Sequence, residues 1–333
     1  MNILVTGGAG YIGSVVVEQL VNEGNQVVVV DNLSQGHREA IASEAKFYHA
    51  DLNNLDKLAD IFRNYDIEAV IHLAASSLVG QSMTEPAGYF QNNLVCGMNL
   101  LHAMLEYGVS KFVFSSSAAV YGLPDEVPIM EDHSTLAINP YGDSKMMFER
   151  ILHWYGVAYG LKFASLRYFN AAGATVKYGE DHEPETHLIP NVLRAALQSV
   201  PQITVFGADY PTDDGTCVRD YIHVLDVARA HVLALRQLES EKLNKSYNLG
   251  AGRGYSVKEV IDVAEATAGT RIKRVISSRR PGDPPVLIAD SSLAGKEIGW
   301  RPQDSELEAI IDSAWRWQKA HPRGYEGKAT RSG

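Results

Sequence analysis

Residues 114–122 read FSSSAAVYG and residues 139–145 read NPYGDSK. Tyr141 and Lys145 are four apart, so on a helix they share one face. An ammonium beside a phenol stabilises the phenolate and draws its pKa down from a reference of about 10 toward the working range of a general base. Ser117, at the C-terminal edge of an apolar run, is placed to hydrogen-bond a reacting hydroxyl and relay its proton. In isolation, serines at a strand end are turn formers and Tyr-x-x-x-Lys occurs in many helices by chance. A second constellation gives these residues weight.

That constellation is VTGGAGYIGS, residues 5–14. Glycine inside a strand or helix costs roughly 0.5–1 kcal/mol relative to alanine, so a cluster this dense marks a backbone that something approaches closely. Gly7, Gly10 and Gly13 form G-x-x-G-x-x-G directly after the run NILVT, and they open a helix in which Ile12, Val16 and Leu20 recur every fourth residue. Such a turn bends sharply, admits a pyrophosphate to the backbone and packs helix on strand, with free amides facing the anion. The bland alternative is a glycine turn without a ligand. The next run, QVVVV, ends at Asp31, a carboxylate suited to the hydroxyls of a ribose and repelling a 2′-phosphate, which favours NAD over NADP. Asp51 ends the third run and reads either as an adenine contact or as a plain turn aspartate. Lys145 can also hold the nicotinamide ribose. A base, a proton relay and a nicotinamide together imply hydride transfer to or from a secondary alcohol.

The elements that must position these groups alternate. NILVT, QVVVV, KFYHA, AVIHLA, KFVFSS and KFASLRY are short β-branched or aromatic runs separated by amphipathic stretches. This pattern predicts an α/β fold with a doubly wound parallel sheet of Rossmann type, covered on both faces. Leu55, Leu58, Ala59 and Phe62 fall at helical spacing and predict one buried stripe. Residues 1–170 are expected to form the dinucleotide-binding domain. Beyond them the text becomes rich in turns and predicts a smaller α/β domain over 171–333 that covers the ligand, with HVLDVARAHVLALRQL returning to the sheet around 220–240. The polar end HPRGYEGKATRSG is expected to be disordered.

The chain has 333 residues, 45% of them hydrophobic, and a net charge of −10. That balance argues against general affinity for nucleic acid or anionic membrane, so an anionic ligand must be held by a few local cations or amides. Two cysteines, Cys96 and Cys217, are too few for a disulfide framework or a cysteine metal site, which fits a reducing cytosol. No apolar run approaches the roughly 18 residues of a membrane span and no signal-peptide pattern opens the sequence, so a cytoplasmic location is expected. His72, His223 and His231 show no metal-ligand spacing, and no metal is expected.

With these residues in hand, the chain resembles the extended short-chain dehydrogenase/reductases, and within them the UDP-sugar 4-epimerases. TGGAGYIGS and PYGDSK are shared across the superfamily, whereas DGTCVRDYIHV and RRPGDP are much more specific to the epimerases; DNLS, LRYFNAAGA, PETHLIP and YNLGAGRGYSV extend the similarity over nearly the whole chain. The resemblance implies an isomerase that oxidises C4 of the sugar, swings the 4-keto sugar about the diphosphate and reduces it from the other face, interconverting UDP-galactose and UDP-glucose or another UDP-sugar (an N-acetylhexosamine, pentose or uronate). Carried across by motif, Tyr141 is the base, with Lys145 and Ser117 beside it. NAD is expected at Gly7, Gly10, Tyr11, Ile12 and Gly13, at Asp31, Asn32, Leu33, Ser34 and Gly36, at Asp51 and Leu52, at Leu73, Ala74, Ala75 and Ser77, and at Asn92, Ser115 and Phe169. The sugar nucleotide is expected at Ser117, Tyr141, Asn170, His187, Leu188, Thr204, Phe206, Arg219, Arg280, Asp283 and Leu287. Arg219 and Arg280 make physical sense as a guanidinium clamp on a diphosphate, the alternative being surface pairing with Asp220 and Asp283.

The chain departs from relatives at three places: Ser77 where many carry lysine, His187 where others carry asparagine, and Leu287 at a position often taken by tyrosine. A branched apolar wall at Leu287 leaves the polar atoms of an N-acetyl group without partners and predicts a preference for plain hexoses. A dehydratase would need an acid beside the serine, where this chain has Ala118 and Ala119. A dinucleotide-binding scaffold without turnover would have lost the tyrosine or the lysine. Helices around 89–106 and 144–159 carry apolar residues on more than one face, including Phe90, Leu94, Met98, Met147, Ile151 and Trp154, and predict a homodimer through a four-helix bundle.

Overall fold

The computed structural model describes residues 1–240, 244–280 and 283–325. Each β-branched run becomes a strand: β1 (Asn2–Thr6), β2 (Gln26–Asp31), β3 (Lys46–His49), β4 (Ala69–His72), β5 (Lys111–Ser117) and β6 (Lys162–Tyr168). After these come β7 (Asn170–Ala172), β8 (Gln202–Phe206), β9 (Val218–His223), β10 (Lys245–Leu249), β11 (Gly254–Ser256), β12 (Lys273–Ser277) and β13 (Val286–Leu287). Seven strands form one parallel sheet in the order β10-β6-β5-β4-β1-β2-β3. Both faces are buried, so the central strands are apolar throughout: Ile3, Leu4 and Val5 in β1 and Val28, Val29 and Val30 in β2 are almost fully enclosed.

Helices Tyr11–Asn22 and Val224–Ser240 cover one face, and helices Leu55–Asn64, Cys96–Glu106 and Pro140–Tyr159 the other. The stripe on helix Leu55–Asn64 differs from expectation. Leu58, Ile61 and Phe62 are buried, but Leu55 is 53% exposed, because it occupies the first turn, before the helix meets the sheet. The segment after Val224–Ser240 enters the sheet at its edge as β10, beside β6. Cys96 and Cys217 are buried free thiols.

Chain direction decides where a ligand can sit. From β1 the chain steps outward through β2 and β3, then crosses back to β4 and runs the other way through β5 and β6. The crevice at the carboxyl ends of β1 and β4 is the topological switch point where open α/β sheets bind ligands. Facing that edge is a second group of elements. β9 pairs with β7, β11 and β13, β8 pairs with β12, and helices Leu188–Ala196, Val257–Ala268 and Leu307–Ala320 bury a core of their own around Val192, Ile261 and Ile310.

Among the described residues no helix is long and apolar enough to cross a membrane. Of the end expected to be disordered, His321, Gly324 and Tyr325 are buried, with Tyr325 3% exposed and its amide donating to Asp181 at 2.9 Å; residues 326–333 lie outside the described residues.

Candidate active site

The glycine turn assigns a different task to each glycine. Gly7 takes φ 73°, and a Cβ there would lie 2.5 Å from the backbone nitrogen of Ala74, at the end of β4. A Cβ on Gly13 would stand 2.1 Å from the carbonyl oxygen of Gly7, so helix Tyr11–Asn22 packs on the turn only without a side chain. Gly10 is different: a Cβ there would meet nothing closer than Gly7 O at 3.4 Å. The one open glycine therefore caps the helix N-terminus, where an anion is best received.

Asp31, 8% exposed, accepts from the amides of Ala9 at 3.0 Å and Leu33 at 2.8 Å, which ties the turn to the end of β2. Burial raises its pKa, against the lowering effect of those amides. Leu33 sits at φ 58°, a left-handed conformation that a bulky residue rarely adopts, and Gly36 lies so close to Ala9 that a Cβ would approach to 2.9 Å. Segment 31–36 is thus folded back over the glycine turn, leaving Asn32 and Ser34 exposed. Asp51 closes a turn with the amide of Asn53 and also accepts from Asn32 Nδ2 at 2.8 Å, so the turn role is real, while Leu52 is buried beside it. Leu73, Ala74 and Ala75 leave the end of β4 half-buried, and Ser77 is exposed. The Tyr11 hydroxyl is taken by Gly173 O at 2.6 Å, which leaves the backbone as Tyr11's means of reaching a ligand, with Ile12 half-buried after it. An open, amide-lined helix start beside a buried carboxylate fits a dinucleotide.

Helix Pro140–Tyr159 carries the candidate pair Tyr141 and Lys145. Asn139 caps it by accepting from Gly142 N at 2.8 Å, and Pro140 occupies its first turn. Gly142 lets the helix start press on the turn after β5, since a Cβ there would lie 2.4 Å from Ala119 O. That contact brings Tyr141, 8% exposed, to Ser117, with which its phenol hydrogen-bonds. Ser117 Oγ also accepts from Ala119 N at 3.1 Å.

Here one expectation is corrected. Burial pushes the Tyr141 pKa above its ordinary value, the Ser117 hydrogen bond pulling the other way. The lysine does not sit on the phenol oxygen: Lys145 Nζ donates to Ser115 O at 2.7 Å and stands 5.9 Å from the Tyr141 ring centroid. Burial lowers the Lys145 pKa to about 7, with Glu149 opposing.

Further polar residues hold this group; Asn93 and Glu149 carry no signal in the sequence, whereas Asn92 and Ser115 are among those expected at NAD. Asn93 accepts from Ser76 N at 2.8 Å and donates to Ser144 Oγ at 2.9 Å, joining the β4 exit to helix Pro140–Tyr159, and Asn92 donates to Ser76 Oγ at 3.2 Å. Both lie in a π-helical turn, Gln91–Val95, of the kind that re-aims side chains at functional sites. Glu149, one turn beyond Lys145, accepts from Arg167, Ser116 and Ser246; Arg167 donates on to Tyr121 and Tyr121 to Asn248, all buried or half-buried. Ser115 Oγ pairs with His231 at 2.7 Å.

The second side is looser. Phe169 is buried and packs with Leu287, which lies opposite Arg219 in the β9–β13 register. Asn170 donates to Asp220 O at 3.0 Å. Arg219 pairs with Asp283, but not with Asp220, whose carboxylate is fully buried, accepts from the amides of Ala251, Gly252 and Ala289, and is raised by burial to about 6. Arg280 lies over the Phe206 ring at 4.3 Å, and Thr204 and Phe206 share the exposed face of β8. Leu188 opens helix Leu188–Ala196, preceded by His187. Although burial lowers it, the Glu180 and Glu185 carboxylates push the His187 pKa up to about 10.

His72, His223 and His231 bond to Thr6, Ser313 and Ser115. The expectation that no metal ligands assemble meets a counterexample elsewhere: Glu180, His182, Glu185 and His187 bring one donor atom each to within 4.8 Å of one another. The signal in the sequence was a doubled Glu-x-His.

Residues 3–250 match the NAD dependent epimerase/dehydratase family. The UDP-glucose 4-epimerase of Halalkalibacterium halodurans is 50% identical over 327 residues, covering 98% of both chains, and that of Streptococcus mutans is 48% identical over 332 residues, covering 98% of this chain and all of the other. A crystal structure of a UDP-glucose 4-epimerase, 48% identical, superposes with a TM-score of 0.95 over 98% of this chain and 99% of its own. That of the Bifidobacterium longum UDP-glucose 4-epimerase in complex with NAD+ and UDP, 38% identical, has a TM-score of 0.92 over 98% of this chain and 100% of its own. The chain belongs to the NAD dependent epimerase/dehydratase family.

Proposed function

We propose that the chain is an NAD-dependent isomerase interconverting UDP-galactose and UDP-glucose at C4. The observation that carries the chemistry is Tyr141, enclosed and hydrogen-bonded to Ser117 at the sheet edge, one turn ahead of the buried Lys145. NAD, when bound, supplies a hydride acceptor that serves as the donor on return. Residues 1–170, with the returning segment around 220–240, hold it through the open start of helix Tyr11–Asn22, the Asp31 carboxylate and the Lys145 ammonium.

The Tyr141 phenol oxygen takes the proton as the C4 hydroxyl becomes a carbonyl and gives it back when that carbonyl is reduced from the other face, so no net oxidation remains. Ser117 favours the phenolate by hydrogen bonding and orients the reacting oxygen. Lys145, held by Ser115 O, fixes the helix face that carries the base. Arg219 and Arg280 hold the diphosphate while the keto sugar turns, and Ala118 and Ala119 offer no acid to expel a hydroxyl. The names of the similar proteins support the same substrate pair.

The purified chain incubated with UDP-galactose is expected to form UDP-glucose with no lasting rise in NADH absorbance. Steady NADH accumulation, or no UDP-glucose, defeats this reading.

We infer further that the chain works as a homodimer. Met98 (44% exposed), Met147 (37%) and Trp154 (65%) leave apolar surface on the two adjacent helical segments, a face that two copies would cover as a four-helix bundle. A monomer mass by light scattering at micromolar concentration rejects it.

A further inference from the structure

Residues 180–187 read EDHEPETH, two Glu-x-His pairs in the loop that runs into helix Leu188–Ala196. The loop folds so that the pairs face one another. His187 Nδ1 lies 2.7 Å from Glu180 Oε1 and 2.9 Å from Glu185 Oε1, while His182 Nδ1 lies 3.2 Å from Glu180 Oε1 and 3.9 Å from Glu185 Oε2. Both imidazoles turn the same nitrogen inward, and both carboxylates reach both rings.

Ion pairing accounts for only part of this. Glu185 Oε2 is buried with no hydrogen-bond partner, on a side chain only 2% exposed. A carboxylate oxygen left unpaired in an enclosed nook, aimed toward an imidazole nitrogen, is a group prepared for something else. Zinc ligands at about 2.0–2.1 Å in a tetrahedron stand roughly 3.3 Å from one another. The imidazole–carboxylate separations, 2.7 to 3.9 Å, bracket that spacing, and the four donors all lie within 4.8 Å of one another, within reach of it by side-chain adjustment. Two imidazoles with two carboxylates suit a borderline divalent ion, and four protein ligands leave no open coordination position.

We propose that Glu180, His182, Glu185 and His187 form a closed structural site for one divalent cation of the zinc class. The ion would lock the loop between the two sides of the molecule. His182 meets the Tyr11 ring edge-on at 6.3 Å, so one end of the site rests on the glycine turn; His187, at the other end, leads into the helix that begins with Leu188. Coordination through Nδ1 leaves Nε2 of His187, on a side chain 48% exposed, free for other contacts. The site does no chemistry on the sugar, and its existence does not depend on the epimerase reading.

The test uses the full chain with NAD, stripped with EDTA, dialysed against micromolar Zn²⁺, and assayed for metal by mass spectrometry and for thermal stability. The expected result is about one zinc per chain, with Tm higher by at least about 2 °C than in the stripped protein. The double variant His182→Gln, Glu185→Gln should retain less than about a tenth as much zinc and show no zinc-dependent shift in Tm. Co²⁺ loading of the wild type, which needs no variant to fold, should give the strong visible absorption of a four-coordinate ion. Failure of the wild type to retain zinc, equal retention by the double variant, or a weak six-coordinate cobalt spectrum would each overturn the site. Epimerase turnover unchanged by zinc leaves these readouts intact, so loss of one proposal does not carry the other with it.

Discussion

Around Ser117, Tyr141 and Lys145 the polar groups are enclosed and already bonded to the protein, with Lys145 3% and Tyr141 8% exposed. Around Arg219, Arg280 and Phe206 the side chains pair with each other or face outward, Phe206 being 37% exposed and Arg219 engaged with Asp283. The first region is built before any ligand arrives and sits on the end of strand Lys111–Ser117 and the first turns of the 20-residue helix Pro140–Tyr159. The second is spread over β8, β9 and the segment after β12, and Arg219 would have to leave Asp283 to take the diphosphate proposed for it. Preorganisation belongs where charge changes during reaction, since only there does it accelerate the chemical step. A region whose proposed task is only to hold the nucleotide is free to rearrange.

Four experiments sharpen or break this contrast. Tyr141→Phe removes a hydroxyl and little packing, so kcat should fall by about 10²–10⁴-fold while NAD content stays normal. A variant within tenfold of wild type would move the base elsewhere. Arg219→Met should act on the other side of the comparison, raising KM for UDP-galactose roughly 10–100-fold, as expected for a charged hydrogen bond of about 1.5–3 kcal/mol, with kcat little changed. A drop in kcat alone would place Arg219 with the preorganised group. Leu287 should set a preference for UDP-glucose over UDP-N-acetylglucosamine of at least roughly tenfold in kcat/KM, reduced in Leu287→Ser. Equal wild-type values for both sugars would exclude it as the gate.

The smallest effect tests burial itself. Lys145 is depressed to about 7, so between there and its ordinary value near 10.5 the unfolded chain binds more protons than the folded one, and stability rises with pH. The cost of burying the ammonium is full below about pH 7 and fades above it. Lys145→Met, which carries no such charge, should therefore exceed wild type in Tm by a few degrees at pH 6.5, and the gap should shrink to well under half by pH 9.5. A gap independent of pH would show that the ammonium is not held at a cost.

What could be read in the sequence was local. Gly7, Gly10 and Gly13 act within one turn, and Tyr141 and Lys145 share a helix face at fixed spacing, so periodicity was enough. What could not be read depends on distant partners or on depth. Asn93 meets Ser144 across 51 residues and Tyr121 meets Asn248 across 127, and neither leaves a mark on the intervening text. The direction of the Tyr141 shift was misjudged because spacing reveals a neighbouring lysine but not the loss of water, which is the larger effect. Arg219 was open between a ligand role and ion pairing; the fold gives it Asp283 and reserves Asp220 for three amides of the neighbouring loop. Leu55 follows the helical period yet lies outside the contact with the sheet, a matter of where the helix begins.

Tyr325 fastens the loop that follows β7. Its amide donates to Asp181 across 144 residues, and its ring hydroxyl bonds Gly179. During synthesis, then, the glycine turn, the Ser117 strand and the Tyr141 helix can all emerge and pair while residues 179–181 still lack their anchor. The ribosome must add another 144 residues before that loop can be fastened. A chain released ahead of residue 325 would carry the glycine turn, Ser117 and Tyr141 but leave residues 179–181 without the bonds that Tyr325 supplies.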